Sequence, residues 1–288
     1  LHVIASIDPR GGGPIEGIKS RGRFLVEKGH EVEILSLDDP SEKYVADSPL
    51  RVHAVGPSSG KYGYTSKLRA WIRGNASIYD AIVISGLWQY HSYATASELS
   101  RLGLKYYVFT HGMLDPWFKE KYPIKHLKKW LYWILAEHFV VKNATKVFFT
   151  TEEERLRARD SFWLYEVNEC VVPYGIASPP IEKELYRDAF FSRFPKLVGK
   201  ELMIYLGRLH EKKGCDLLVR AYANAAKAHD GTHLVMAGPG DPAYIHRLKK
   251  IVSDMGVDHK ITWLGLVQGE AKWQTFAAAK AFILPSHQ

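Results

Sequence analysis

One loop carrying two cations constrains this chain more than any other stretch. Leu202 to Leu206 is an unbroken apolar run, which predicts a buried strand. It ends in Gly207, and the loop from Gly207 to Gly214 carries Arg208 and Lys213. Cys215 to His229 then reads as a helix with Asp216 near its start. A strand that opens into two cations just before a helix N-terminus suits a doubly charged anion. An arginine fork and a lysine point charge hold two phosphates together. The helix end behind them adds backbone N–H donors and positive dipole. A merely basic surface loop has the same composition, so its meaning rests on the surrounding chain.

That chain alternates strand and helix throughout. Leu1 to Ser6 reads as a strand, and Gly11, Gly12, Gly13 and Pro14 place a tight loop before a helix. Ile15, Ile18, Leu25 and Val26 give this helix its inner face, and Gly29 ends it. The dinucleotide fingerprint is broken, because Glu16 stands where its third glycine belongs. Val32–Leu37 and Arg51–Val55 read as strands, the stretch 56–64 as a loop and Lys67–Ile72 as a helix. The strand Ala81–Ser85 opens into Gly86, Trp88 and His91. Ligands of open α/β sheets sit at carboxyl ends of strands, so Trp88 and His91 are candidates for substrate contact. The alternative is that they cap the next helix and pack. Lys105–Thr110 ends in His111 and Gly112, where a sharp turn lets the imidazole face a ligand.

Further on, Lys146–Thr150 is a strand, and Thr151 caps a helix that begins with three glutamates. Glu169–Val172 ends in a turn of Pro173, Tyr174, Gly175 and Ile176. Residues 177–198, with Pro179, Pro180 and Pro195, read as a crossover. After the Arg208 loop, the strand His233–Ala237 ends in Gly238 and Gly240, and the strand Lys260–Leu264 ends in Gly265. The pattern predicts parallel α/β structure. It divides into a first domain over 1–176, the crossover, and a second domain over 199–288.

Charge narrows the partners. The net charge is +8, of which +6 falls in residues 186–288, the part that holds Arg208 and Lys213. This favours an anionic ligand. No dense basic run interleaves with aromatics in a nucleic-acid module, so nucleic acid is excluded as a partner. Cys170 and Cys215 sit beside apolar strands as reduced thiols, and no zinc spacing occurs. The apolar stretch Trp130–Val141 includes Glu137 and His138 and is too short to span a bilayer. The lysines of Lys119–Lys129, with Trp130 and Trp133 after them, suit an interfacial helix on anionic lipid. The alternative is a core stripe with solvated lysines.

The Gly-Arg-x4-Lys-Gly pattern of Gly207 to Gly214 resembles that of the family-4 retaining glycosyltransferases of the GT-B fold. Four companions resemble the family in order and spacing: the glycine loop at Gly12 and Gly13, His111-Gly112, Gly238-x-Gly240 with the Gly265 turn, and Pro285-Ser286. The resemblance covers the whole chain. It implies two doubly wound, Rossmann-like domains facing a cleft, the second incomplete. It implies sugar transfer from a nucleotide-sugar to an acceptor hydroxyl with retained configuration. Arg208 and Lys213 would bind the donor diphosphate, and His111 would contact the transferred sugar. Gly12, Gly13, Gly238, Gly240 and Gly265 would let backbone approach the donor. Trp88, His91 and Trp117 would lie on the acceptor side. The run from His111 through Met113, Leu114, Pro116 and Trp117 resembles members that build bacterial exopolysaccharides. That implies a polyprenol-linked glycan acceptor and a cytoplasmic enzyme, peripheral on the inner face of the cell membrane. No Asp-x-Asp occurs, so the expected enzyme needs no metal and no cofactor.

One departure counts against a complete enzyme. The family continues past the Pro-Ser pair with two glutamates eight residues apart, which bind donor hydroxyls, whereas this sequence stops at Gln288. The expectation is therefore a piece of a longer protein. Two other readings stay open: a non-catalytic nucleotide-sugar-binding module, and a Rossmann-type sugar-nucleotide epimerase or dehydrogenase. The broken fingerprint at Gly11 to Glu16 counts against the latter.

Overall fold

The computed structural model describes residues 1–287 except 118, 120–122, 174, 176–178, 180–181 and 227–230, and describes only the backbone of 123–126. Lys121, Tyr174, Ile176 and Gln288, and the side chain of Lys125, thus lie outside the described residues. The chain forms two units, Leu1–Ala177 and Ser178–Gln288.

The first unit is built on seven parallel strands: β1 (His2–Ile4), β2 (Glu33–Ser36), β3 (Arg51–Ala54), β4 (Val83–Ser85), β5 (Tyr107–Phe109), β6 (Lys146–Phe149) and β7 (Glu169–Val171). Their order in the sheet is β3-β2-β1-β4-β5-β6-β7. Val3 lies opposite both Leu35 and Ile84, so the register places apolar residues side by side across the centre. Side chains alternate between the faces of a strand. Ile4 and Ile34 therefore meet Ile15 and Ile18 of helix α1 (Gly13–Glu27) on one face. Val3, Leu35, Ile84, Val108 and Val147 meet the other helices on the opposite face. Those include α3 (Lys67–Asn75) and α4 (Tyr90–Arg101), while α2 (Lys43–Ala46), which the sequence reading lacked, packs through Tyr44 and Val45 on the α1 face. Helix α1 departs from expectation at one residue: Val26 is exposed, because the helix has only one sheet-facing side at its end.

A continuous helical stretch follows: α5 (Pro123–Tyr132), a π segment (Trp133–Glu137) and α6 (His138–Lys142). The wider π turn brings Trp133, Ala136 and Glu137 together into the interior. Trp133, expected at a lipid surface, is fully buried, and Trp130 packs on the core. Helix α7 (Glu152–Ala158) completes the unit.

The second unit has four parallel strands, β8 (Glu201–Leu206), β9 (Thr232–Ala237), β10 (Ile261–Gly265) and β11 (Ala281–Phe282), in the order β10-β9-β8-β11. Helices α9 (Cys215–Ala226) and α10 (Pro242–Asp254) cover one face through Leu218, Val219, Leu248 and Val252. The other face holds α8 (Lys183–Arg193) and α11 (Gly269–Ala278) through Phe190 and Phe276. Helix α8 corrects the expected crossover. The Phe190 ring meets Phe191 edge-on and Phe194 at a tilt, and Phe190 is buried with Leu202 and Ile204. The prolines on either side hid that apolar face in the sequence. In both units the sheet order reverses beside the first strand, β1 or β8, which marks the carboxyl ends there as the ligand crevice of each sheet.

Candidate functional site

In the second unit the carboxyl end of β8 leads straight into Gly207, whose N–H donates to Ala237 O at 3.0 Å. Leu209 is buried, and its N–H donates to Pro239 O at 2.7 Å. The Tyr205 hydroxyl donates to Arg208 O at 2.8 Å. His210 caps a short 3-10 turn, Glu211–Lys213, with its Nδ1 accepting from Lys212 N–H at 3.1 Å. Gly214, at φ 62°, turns the chain into α9. The backbone is thus fixed on both sides of Arg208 and Lys213.

The side chains of that pair are not neutralised. Among the described residues neither Arg208 nor Lys213 has a carboxylate partner, whereas Glu211 in the same loop pairs with Arg247 at 2.8 Å. Arg208 is exposed and Lys213 half-buried. Burial, then Lys212 and Arg208, lower the Lys213 ammonium below its ordinary pKa. The push of Arg208 on Lys213 is repulsion that an incoming anion relieves.

The glycines expected around a donor divide into two kinds. A Cβ on Gly238 would lie 1.8 Å from Gly207 O, and one on Gly240 would lie 2.7 Å from Leu209 O. Gly238 N–H also donates to Gly265 O at 2.6 Å. These two glycines serve the approach of one strand-end loop to the next. At Gly265, Gly12 and Gly13 a Cβ would meet nothing within 4 Å, so there the backbone borders open space. Gly12 caps α1 at φ 77° with no side-chain capping bond, leaving first-turn N–H groups of a 15-residue helix for a ligand.

In the first unit the strand ends after β4 and β5 form one connected structure. His111 and Gly112 both adopt left-handed backbone, at φ 51° and 73°. Glu154, on α7, holds that turn. Its Oε1 accepts from Thr110 Oγ1 at 2.7 Å and from Gly112 N–H at 2.8 Å. Its Oε2 accepts from Thr150 N–H at 2.7 Å and Thr150 Oγ1 at 2.5 Å. The His111 ring stacks on Phe109 at 4.7 Å, and the Arg21 guanidinium lies 4.8 Å from the same Phe109 ring. Burial, with smaller contributions from Arg21 and His91, lowers the His111 pKa to about 3. The imidazole is therefore neutral at physiological pH.

Trp88 and His91 go elsewhere. Trp88, left-handed at φ 72°, donates its N–H to Glu137 Oε1 at 2.7 Å and its indole N–H to Met113 O at 3.1 Å. Its ring packs among Trp133, Phe162 and Tyr132. His91 is 1% exposed and donates from Nε2 to Ser85 O at 3.0 Å. Burial lowers its pKa to about 4. Both expected acceptor contacts thus pin the end of β4 internally. Trp117 is half-buried at the start of a helical turn, where Asp115 Oδ1 accepts its N–H at 2.9 Å.

Two residues that sequence reasoning passed over matter here. Glu154 appeared only as part of an acidic first turn. Glu137 appeared only as a charge interrupting an apolar run. It is fully buried, and its Oε1 also accepts from Ser92 Oγ at 2.6 Å. Burial raises its pKa to about 7, against the lowering effect of Ser92 and Trp88.

A model of the glycosyl transferase 4-like domain matches residues 12–175, and a model of glycosyl transferases group 1 matches residues 187–288. An uncharacterized glycosyltransferase of Methanocaldococcus jannaschii is 31% identical over 87 residues, 30% of this chain and 22% of that protein. A GDP-mannose-dependent alpha-(1-6)-phosphatidylinositol monomannoside mannosyltransferase of Mycobacterium tuberculosis is 32% identical over 90 residues, 31% of this chain and 23% of its own length. The matched stretches thus span less than a quarter of these two relatives. The crystal structure of HepE from Anabaena, in complex with UDP and glucose, superposes with a TM-score of 0.71 at 15% identity. It covers 99% of this chain and 73% of that one. That likeness carries the fold, GT-B.

Proposed function

Because the chain belongs to the glycosyl transferase 4-like family, with a group 1 glycosyl transferase segment after it, we propose that it moves a sugar from a nucleotide-sugar to an acceptor hydroxyl with retained configuration. The observation that carries this reading is the pair Arg208 and Lys213, cations without counter-charge on a loop whose backbone is fixed by Tyr205, Pro239 and Gly214. The two side chains hold the donor diphosphate. As the glycosidic bond breaks, negative charge grows on the leaving phosphate, and prepositioned cations stabilise it without reorganising. They take the place a divalent ion has in other phosphate chemistry.

His111 contacts the transferred sugar, as the family resemblance implies. Its neutral ring suits that role, since a hydroxyl can both donate to and accept from a neutral imidazole. The HepE structure holds UDP and glucose, and the mycobacterial relative is named for GDP-mannose. Uridine and guanosine nucleotides are accordingly the first donors to test. The acceptor in this reading is a polyprenol-linked glycan of exopolysaccharide or envelope synthesis. The enzyme then works in the cytoplasm, peripheral on the inner face of the membrane. Among the described residues no helix is long and apolar enough to cross a membrane.

The test is calorimetric titration of UDP and GDP into the wild type, Arg208→Ala and Lys213→Ala. Each substitution removes a charge-assisted contact of roughly 1.5–3 kcal/mol, so affinity falls about ten- to a hundredfold. Unchanged affinity in both variants removes the reading.

A further inference from the structure

The helical stretch Pro123–Lys142 has an inner face that behaves normally, with Trp133, Val140 and Val141 fully buried. Its outer face does not. Leu127 is 67% exposed, Leu131 58%, Ile134 40%, Leu135 69% and Phe139 37%. These five fall on one stripe at spacings of three and four. A helix on the surface of a globular unit ordinarily turns polar residues outward. Here solvent meets leucine, and the one acid of the stretch, Glu137, is buried inside.

The loop alongside extends the same surface. The Trp133 indole donates to Trp163 O at 2.9 Å, Phe162 stacks on Trp133 at 4.8 Å, and Lys142 pairs with Glu166 at 2.6 Å. That loop presents Trp163, 71% exposed, and Leu164, 41% exposed. Lys128 is exposed beside the stripe, and Lys142 closes it. The face is apolar along its middle, with the exposed Lys128 at its edge and the Lys142–Glu166 ion pair at its end. A protein partner matched to it would need a long apolar ridge with acidic edges. An anionic bilayer offers the same complement over any area.

We propose that this stripe, with Trp163 and Leu164, is a bilayer-docking face on which the helix lies in the plane of an anionic membrane. The proposal deepens the peripheral-membrane reading above and rests on it for location only. It moves the contact away from Trp130 and Trp133, which face inward. Leucines enter the acyl boundary while the lysines stay among the headgroups.

The experiment is vesicle flotation of the protein as the cell makes it. Vesicles of pure phosphatidylcholine are compared with vesicles containing about one third phosphatidylglycerol, a composition in the range where basic residues add measurably to binding. Wild type floats with the anionic vesicles, and added salt weakens it. Leu131→Gln with Leu135→Gln lowers the partition coefficient on the order of thirtyfold, from the apolar area withheld from lipid. The same double variant keeps its melting temperature and its nucleoside-diphosphate affinity, which separates loss of docking from loss of the transferase reading. Equal flotation of variant and wild type overturns the proposal, as does wild type that floats with neither vesicle. A wild type that self-associates without lipid while the variant stays monomeric also overturns it, by assigning the stripe to a second copy. So does a stripe that is already shielded from solvent in the lipid-free protein.

Discussion

Replacing Glu154 should loosen the His111-Gly112 turn and unfold the first unit more easily. The carboxylate accepts four hydrogen bonds, two from the backbone N–H groups of Gly112 and Thr150 and two from threonine hydroxyls. In Glu154→Gln one oxygen remains and serves two of the donors, while the amide N–H groups confront the other pair. The Thr150 hydroxyl can rotate to accept, but the Thr150 N–H cannot. One orphaned N–H costs about 1–3 kcal/mol, and the lost charge assistance adds to it. Water recovers part of this, because Glu154 is half-buried. The expected destabilisation is about 2 kcal/mol for glutamine and about 3 kcal/mol for alanine, which orphans both N–H groups. Urea denaturation followed by far-UV circular dichroism measures the loss. Amide hydrogen exchange at Gly112 and Thr150 localises it, with faster exchange expected at both. A Glu154→Gln protein whose unfolding free energy stays within about 0.5 kcal/mol of wild type, with unchanged exchange at those amides, would refute the assignment.

Transfer and donor binding should survive excess chelator, since Arg208 and Lys213 carry the charge; activity that collapses and returns with added magnesium or manganese contradicts this. His2, His91 and His111 have pKa values lowered to about 3, 4 and 3, against 6.5 for the unfolded chain. The unfolded state therefore binds more protons below pH 6.5, and stability should fall as pH drops from there toward 3–4. Proton NMR should show none of the three rings titrating between about pH 5 and 8. Glu137 has the opposite sign. Its pKa is raised from 4.5 to about 7, so its contribution is full below 4.5 and is lost as pH rises through 7. Glu137→Gln should then gain stability over wild type at about pH 8, and a less stable variant there would count against a strained carboxylate.

The strand-end loops were legible because short apolar runs stop at glycine or at polar residues: Leu206 before Gly207, Ser85 before Gly86, Thr110 before His111. That local contrast is what a strand leaving a sheet requires. Glu137 and Glu154 were illegible because their partners are distant. Glu137 meets Trp88 49 residues away, and Glu154 meets Gly112 42 residues away. A single acid on a helix carries no periodic signature of such a contact. Helix α8 was missed for a different reason: the proline-rich ends of its segment outweighed three phenylalanines. His91 shows the limit of reading a strand end by residue type. Imidazole at that place suits substrate contact or internal pinning equally in sequence, and burial decides for pinning.

The meeting of the strand-end loops in the second unit is made by main chain. Gly207 faces Gly238, Leu209 faces Gly240, and a Cβ on Gly214 would lie 2.0 Å from Pro285 O. Main chain sets how closely these loops approach, while the Tyr205 hydroxyl and the His210 cap shape the turn that presents Arg208 and Lys213. The scaffold and its decoration are therefore separable in an engineering sense. A library that randomises Glu211 and Lys212, with the His210 cap kept, changes what the loop displays and keeps where it stands. One that randomises Gly214, Gly238 or Gly240 displaces main chain at every substitution and should return few folded clones. A change of nucleotide preference is best sought in the first library.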